Sequence, residues 1–302
     1  MTTVQAPVRS LPVAAVVAMR PRQWLKNSLV FAAPLAAGSV FEPSVLWPTL
    51  GAFAAFCLIS SATYLINDVR DIESDRGHPT KCHRPIASGA LAPAIAIGLA
   101  VALVVAASTL ALWIRPELAA VIALYFVLTL GYSLGLKHEP VIELALLSLG
   151  FLLRAIAGGI ASDLPISQWF LIVAGFGALF MSAGKRYCEL LRVQEGALEA
   201  QGVARRSLEG YTLSYLRFVW GLAAAVTITA YCLWAFEVGA APSTLPWAQW
   251  SVLFFVLGIL RYGVGIDRGR AEAPEDAVLR DPVLLLIGLG WVVLFGLGAL
   301  GV

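Results

Sequence analysis

Residues 56–75 read Phe56-Cys57-Leu58-Ile59-Ser60-Ser61-Ala62-Thr63-Tyr64-Leu65-Ile66-Asn67-Asp68-Val69-Arg70-Asp71-Ile72-Glu73-Ser74-Asp75, a long apolar run that ends abruptly in Asn67 and four carboxylates. Only 13% of the 302 residues are charged, so this concentration calls for a chemical reason. On one continuous helix Asn67, Asp71 and Asp75 fall at i, i+4 and i+8, with Asp68 seven residues before Asp75 and Tyr64 a turn earlier on the same stripe. Carboxylates aligned this way repel one another unless a cation holds them. Sparse hard oxygens, with positions left for phosphate oxygens, suit Mg2+ better than a soft metal. Asn67, Asp68, Asp71 and Asp75 are therefore the candidate metal ligands, and Asp71 and Asp75 the candidates for catalysis. A water-exposed acidic cap is the alternative; Lys81, His83 and Arg84 follow too closely to favour it.

Hydrophobic residues make up 59% of the chain, more than a soluble core requires. Nine segments, near 23–40, 46–66, 91–113, 117–135, 141–161, 167–184, 212–237, 246–264 and 282–301, are long and apolar enough to cross a bilayer as helices. The expected fold is all-α: one polytopic membrane domain over 1–302, with residues 1–20 as an interfacial N-terminal segment. Of 21 Lys and Arg, Arg115 falls on the opposite face and Arg154 inside a span; the other 19 share one side with the N-terminus. The positive-inside rule places that side, with the N-terminus and the charged loops, in the cytoplasm and the C-terminus outside. In a bacterium this is a plasma-membrane protein. Cys57, Cys82, Cys188 and Cys232 lack ligand spacing and read as inert thiols. Nothing resembles a nucleic-acid patch.

Three further clusters sit on the charged side. In the first, Lys81 and Arg84 follow the acidic stripe as cations for a pyrophosphate, Lys as a point charge and Arg as a fork. The helix of the second span is expected to continue about ten residues beyond its apolar part, some 15 Å, to a cap at Gly77. The second cluster is Tyr132, Lys137, Glu139 and Glu143, with Pro140 in the first turn of the fifth span; Glu143, inside an apolar span, is a functional candidate by default. The third is Lys185-Arg186 after the sixth span, with Arg205-Arg206 further along the loop. Anchoring to anionic headgroups is the competing explanation for these basic residues. Arg154 reads equally as a structural pair or a substrate contact, and Lys26 is a further phosphate candidate.

The pattern Asn67-Asp68, Asp71, Asp75, then Lys81 and Arg84-Pro85-Ile86, on a nine-helix membrane chain, resembles the UbiA superfamily of intramembrane prenyltransferases. The resemblance covers 20–300. It implies a bundle around a central cavity open to the cytoplasmic side, with Mg2+ and pyrophosphate between two acidic motifs. The second motif departs from the family: Lys137, Glu139 and Glu143 stand where an aspartate-rich stripe is usual. With Met19–Asn27 and Leu153–Gly159, that stretch is similar to one branch, the polyprenyl-phosphate phosphoribosyltransferases of mycobacteria and related actinobacteria. The branch implies a polyprenyl (decaprenyl) phosphate as nucleophile, 5-phosphoribosyl 1-pyrophosphate as donor, Mg2+ as cofactor and a product used for cell-wall arabinan. Asp71, Asp75 and Glu143 would then serve catalysis. Lys26, Tyr64, Lys81, Arg84, Tyr132, Lys137, Glu139, Arg154, Lys185 and Arg186 would bind substrate. Homo-oligomer formation is compatible with this reading. The alternatives are prenyl transfer to an aromatic acceptor and, from another class, a cation-coupled transporter.

Overall fold

The computed structural model describes residues 10–194, 208, 210–238, 245–271 and 279–301. Every regular element among them is helical: α1 Leu11–Ala18, a 3-10 run Pro21–Phe31, α2 Ala32–Ala36, α3 Pro43–Arg70, α4 Ile72–Arg76, α5 Pro93–Ile114, α6 Pro116–Leu134, α7 Ile142–Ala161, α8 Gln168–Gln194, α9 Leu213–Val238, α10 Trp247–Asp267 and α11 Pro282–Ala299. Eight of these, α3 and α5 to α11, are long and apolar enough to cross a membrane, and the protein is multi-pass. Proline opens α3, α5, α6 and α11, where its missing N–H costs nothing and its fixed φ suits the first turn.

The burial pattern orders the bundle. In α3, 61% of the apolar window lies inside the protein, against 11% in α11, so α3 is an inner helix and α11 an outer one. Ala52, Ala55 and Ala62 of α3 and Ala96, Ala100, Ala107 and Ala111 of α5 are buried; side chains this small let two helices approach closely. At Gly158 of α7 a β-carbon would run into the Val30 carbonyl, so glycine is what admits the 3-10 run against α7.

Four local expectations are revised. The segment expected to span at 23–40 is the 3-10 run followed by α2. At about 2.0 Å per residue for the first part and 1.5 Å for the second, it extends about 30 Å. The helix expected to continue from the second span to Gly77 turns at Asp71 (φ −90°, ψ 13°), which divides α3 from α4. Gly77 does cap α4, with an ordinary right-handed φ of −79°. Pro140 lies before α7, and α8 continues to Gln194, so Lys185 and Arg186 are helical. Arg205 and Arg206, residues 1–9 and Val302 lie outside the described residues.

Candidate active site

The turn at Asp71 governs the first motif. Backbone bonds from the Asp71 N–H to Asn67 O (2.9 Å) and from the Asp75 N–H to Asp71 O (2.8 Å) carry helical spacing across it. Even so, the carboxylates go separate ways. Asp71, a quarter exposed, accepts from the Asn67 amide (3.2 Å) and from Lys137 Nζ (3.3 Å). Asp68 and Asp75 are buried and meet at one guanidinium, with Arg84 Nη1 at 3.1 Å from Asp68 and 2.6 Å from Asp75. Asp68 also receives Arg20 Nη2 at 2.5 Å, and the Arg20 guanidinium lies over the Tyr64 ring. Thus Arg84, expected beside the stripe, is built into it, and Asp68 is as central as Asp75.

Arg20, which reaches Asp68, has a left-handed backbone (φ 55°, ψ 61°). Such a conformation costs a non-glycine residue on the order of 1 kcal/mol. Ser61 lies against the turn: its hydroxyl, within reach of the Cys57 carbonyl (2.7 Å) and the Met19 carbonyl (3.1 Å), accepts from Trp24 Nε1 (3.0 Å).

Arg70 brings the second motif to the first. Its guanidinium donates to the carbonyls of Ser133 and Leu134, closing the C-terminal end of α6. Gly135 (φ 144°) then turns the chain so that Lys137, in a short 3-10 turn, meets Asp71. Val141 follows with φ 68° and ψ −51°, and the Ile142 N–H donates to Pro140 O (2.7 Å), a γ-turn of the rarer, strained kind. The turn sends Glu143 inward to full burial and leaves Glu139 exposed. The Tyr211 hydroxyl accepts the Val141 N–H at 2.8 Å, and burial pushes its phenol above the ordinary range. At Gly210 a β-carbon would clash with Pro140, so Gly210 and Tyr211 fit closely on this turn.

The third motif closes on the second inside the bundle. Arg186 Nη2 and Nε fork onto Glu143 (2.7 and 3.1 Å), and its Nη1 donates to Glu189. Tyr132 completes the group through Glu143 Oε1 (3.4 Å). Arg186 is only 3% exposed, so this residue, expected as a loop phosphate ligand, joins α8 to α7 through Glu143 and is backed by Glu189 one turn along its own helix. Lys185 beside it, Lys26 in the 3-10 run and Lys81 in the Lys81–His83 turn are half-buried. Arg154 is buried one layer deeper and donates to Asn27 Oδ1 (2.8 Å), the Gly150 carbonyl (2.6 Å) and the Tyr125 hydroxyl (2.9 Å), against the rings of Tyr125 and Phe56.

Arg20, Arg70, Glu189 and Tyr211 were not legible as site residues from the sequence. Arg70 had a signal, a lone cation inside an acidic stripe; Tyr211 had none. Among the described residues no three acidic, His or Cys side chains converge as a ready metal site. The donor chemistry nonetheless fits a hard divalent cation: Asn67 and Asp71 are half-buried oxygens at the rim, with Asp68 and Asp75 behind them under guanidinium cover.

A multi-pass helical bundle with three charged helix ends joined at one rim is the class these observations define. The chain belongs to the UbiA prenyltransferase family, whose profile matches residues 28–290. It is 46% identical over 291 residues to a decaprenyl-phosphate phosphoribosyltransferase of Corynebacterium glutamicum, covering 95% of this chain and 86% of that one. To the decaprenyl-phosphate phosphoribosyltransferase of Mycobacterium tuberculosis it is 47% identical, over 97% and 96% of the two chains. The fold matches a UbiA homolog from Archaeoglobus fulgidus bound to GPP and Mg2+, with a TM-score of 0.67 at 15% identity over 96% of this chain and 100% of that one.

Proposed function

We propose that this protein transfers the 5-phosphoribosyl group from 5-phosphoribosyl 1-pyrophosphate to a polyprenyl phosphate, decaprenyl phosphate in the first instance, releasing pyrophosphate. The observation that supports this most is the near-full-length similarity, 46–47% identity, to relatives named decaprenyl-phosphate phosphoribosyltransferase. The second motif agrees with it: Lys137 sits on Asp71 in place of an acidic stripe, which suits a donor phosphorylated at both ends. In the reaction a phosphate oxygen of the lipid forms a bond to the anomeric carbon as the bond from that carbon to pyrophosphate breaks. The phosphate is already ionised at neutral pH, so no base is needed, and catalysis rests on positioning and charge.

Asn67 and Asp71, with Asp68 and Asp75 behind them, would hold Mg2+, whose positive charge would offset that of the departing pyrophosphate. Lys137 lies beside Asp71 at the same rim, and Lys26, Lys81 and Lys185 are the remaining phosphate candidates. Arg84 organises Asp68 and Asp75, while Arg186 fixes Glu143. The product would feed cell-wall arabinan synthesis.

Membranes containing the protein, given labelled phosphoribosyl pyrophosphate and decaprenyl phosphate, are expected to form a labelled lipid, to stop with a chelator and to resume with added Mg2+. Prenylation of an aromatic acid from a prenyl pyrophosphate, with phosphoribosyl pyrophosphate ignored, would overturn the reading. Lys137→Ala should lower kcat/KM for the donor at least tenfold, about 1.4 kcal/mol of transition-state stabilisation, as measured by steady-state kinetics. The rim is assigned to the cytoplasm of a bacterial plasma membrane, with the C-terminus outside. A reporter fused after Val302 should therefore read extracytoplasmic and one placed within 190–210 cytoplasmic, and the reverse at either site would refute that orientation.

A further inference from the structure

The rim holds a cavity of ≈ 310 Å³ lined by Val17, Ala18, Arg20, Asp68, Thr80, His83, Arg84 and Pro85. Its polar wall is built around two guanidiniums, each about a quarter exposed. Asp68, at 2% exposure, holds both in place. Among the described residues, the bonds to carboxylates use Nη2 of Arg20 and Nη1 of Arg84, which leaves the other N–H groups of both forks to meet a further acceptor. Val17, Ala18 and Pro85 supply the apolar part of the lining. Val17 lines the cavity and is also 38% exposed, where it joins Val13 and Val16 (50 and 53% exposed) on the outer side of α1. Ala14 and Ala18, on the inner side, are buried against Leu65, Ile86 and Leu91. The volume is at the low end for a ligand pocket and holds a headgroup, not an isoprenoid chain. A molecule that fits must leave its chain outside, and the apolar track leading away is α1.

We infer that the Arg20–Arg84 cavity binds the phosphate headgroup of the lipid acceptor, with the first isoprene units lying over Val17 on α1. This rests on the proposed reaction. It gives the left-handed turn at Arg20 a purpose, because strain of that kind is retained where a side chain must be aimed. Two forks already fixed by Asp68 also meet a phosphate with little ordering left to lose. The soluble donor's 5-phosphate shares the chemistry but has no chain for the α1 track, which decides between the two.

The test uses the full chain in phosphatidylcholine nanodiscs, with kinetics varied separately in donor and in a short-chain polyprenyl phosphate, and with binding of that lipid measured in the absence of donor. Arg20→Gln should raise the KM for the lipid at least tenfold and weaken its binding by a similar factor, with the KM for the donor within twofold of wild type. Arg20→Lys should fall between. Val17→Asp, at an exposed position that does not threaten folding, should raise the lipid KM in the same way. An increase confined to the donor KM would assign the cavity to the 5-phosphate, and unchanged lipid binding in Arg20→Gln would leave Arg20 as a support for Asp68; either overturns the inference. Should Arg20→Gln fail to fold, an unchanged lipid KM in Val17→Asp overturns it alone. Wild-type protein that binds the lipid phosphate through Arg20 but makes no product from phosphoribosyl pyrophosphate would refute the reaction and leave the cavity assignment standing.

Discussion

Asp71→Ala is expected to lower turnover by at least about a thousandfold, roughly 4 kcal/mol at the transition state, while the bundle unfolds at nearly its normal temperature. The asymmetry follows from where Asp71 sits. Its carboxylate is a quarter exposed at the rim, with Lys137 at 3.3 Å and the Asn67 amide at 3.2 Å as partners, and such a pair contributes about 1 kcal/mol or less. Its main use comes only when Mg2+ and pyrophosphate arrive. Asp75→Ala makes the contrasting case: turnover should again be lost, but Asp75 is buried and bonded to Arg84 at 2.6 Å, so some stability goes with it. The bundle should still fold, because Arg84 retains Asp68. Near-normal kcat in Asp71→Ala at limiting Mg2+ would remove Asp71 from the metal assignment.

Arg186→Met should be the most destabilising single change at the site, by about 3–5 kcal/mol, because it strands two carboxylates in the bundle interior. Glu143 is 1% exposed and Glu189 9%, and among the described residues Arg186 is the cation paired with both. Combining Arg186→Met with Glu143→Gln and Glu189→Gln should recover most of the unfolding temperature in detergent but little turnover, since the carboxylate beside Tyr132 is gone. A single Arg186→Met variant as stable as wild type would show that the triad is not a structural joint. Its worth is best apportioned by double-mutant cycles, because the three groups act as one unit.

The two outcomes bear on what a linear reading of this chain can supply. Hydropathy is a local quantity, so the membrane class, the helical fold and most helix starts follow from windows of about twenty residues and from the prolines that open them. The acidic residues 67–75 and the cations 81–84 are also adjacent in sequence, and their chemistry is legible for that reason. The helix break at Asp71 was not, since no glycine or proline marks it. Nor was the continuation of α8 past Gly184, where the buried Arg186 and Glu189 lower the hydropathy that marks a span and make the helix look finished.

What the sequence determined by itself is therefore the kind of protein and the inventory of its charged groups: a multi-pass helical bundle, an oxygen-rich first motif, and a second motif that carries a lysine. Only the tertiary structure decided which charges meet. Lys137 reaches Asp71 from 66 residues away, Arg20 reaches Asp68 from 48, Arg186 reaches Glu143 from 43, and Arg154 reaches Asn27 from 127. The physical reason is burial. A charge in an apolar bundle is tolerated only when paired, so each carboxylate takes whichever guanidinium or ammonium the helix packing brings within hydrogen-bond reach, and that packing is set by small residues such as Gly158 and the α3–α5 alanines far from the charges themselves.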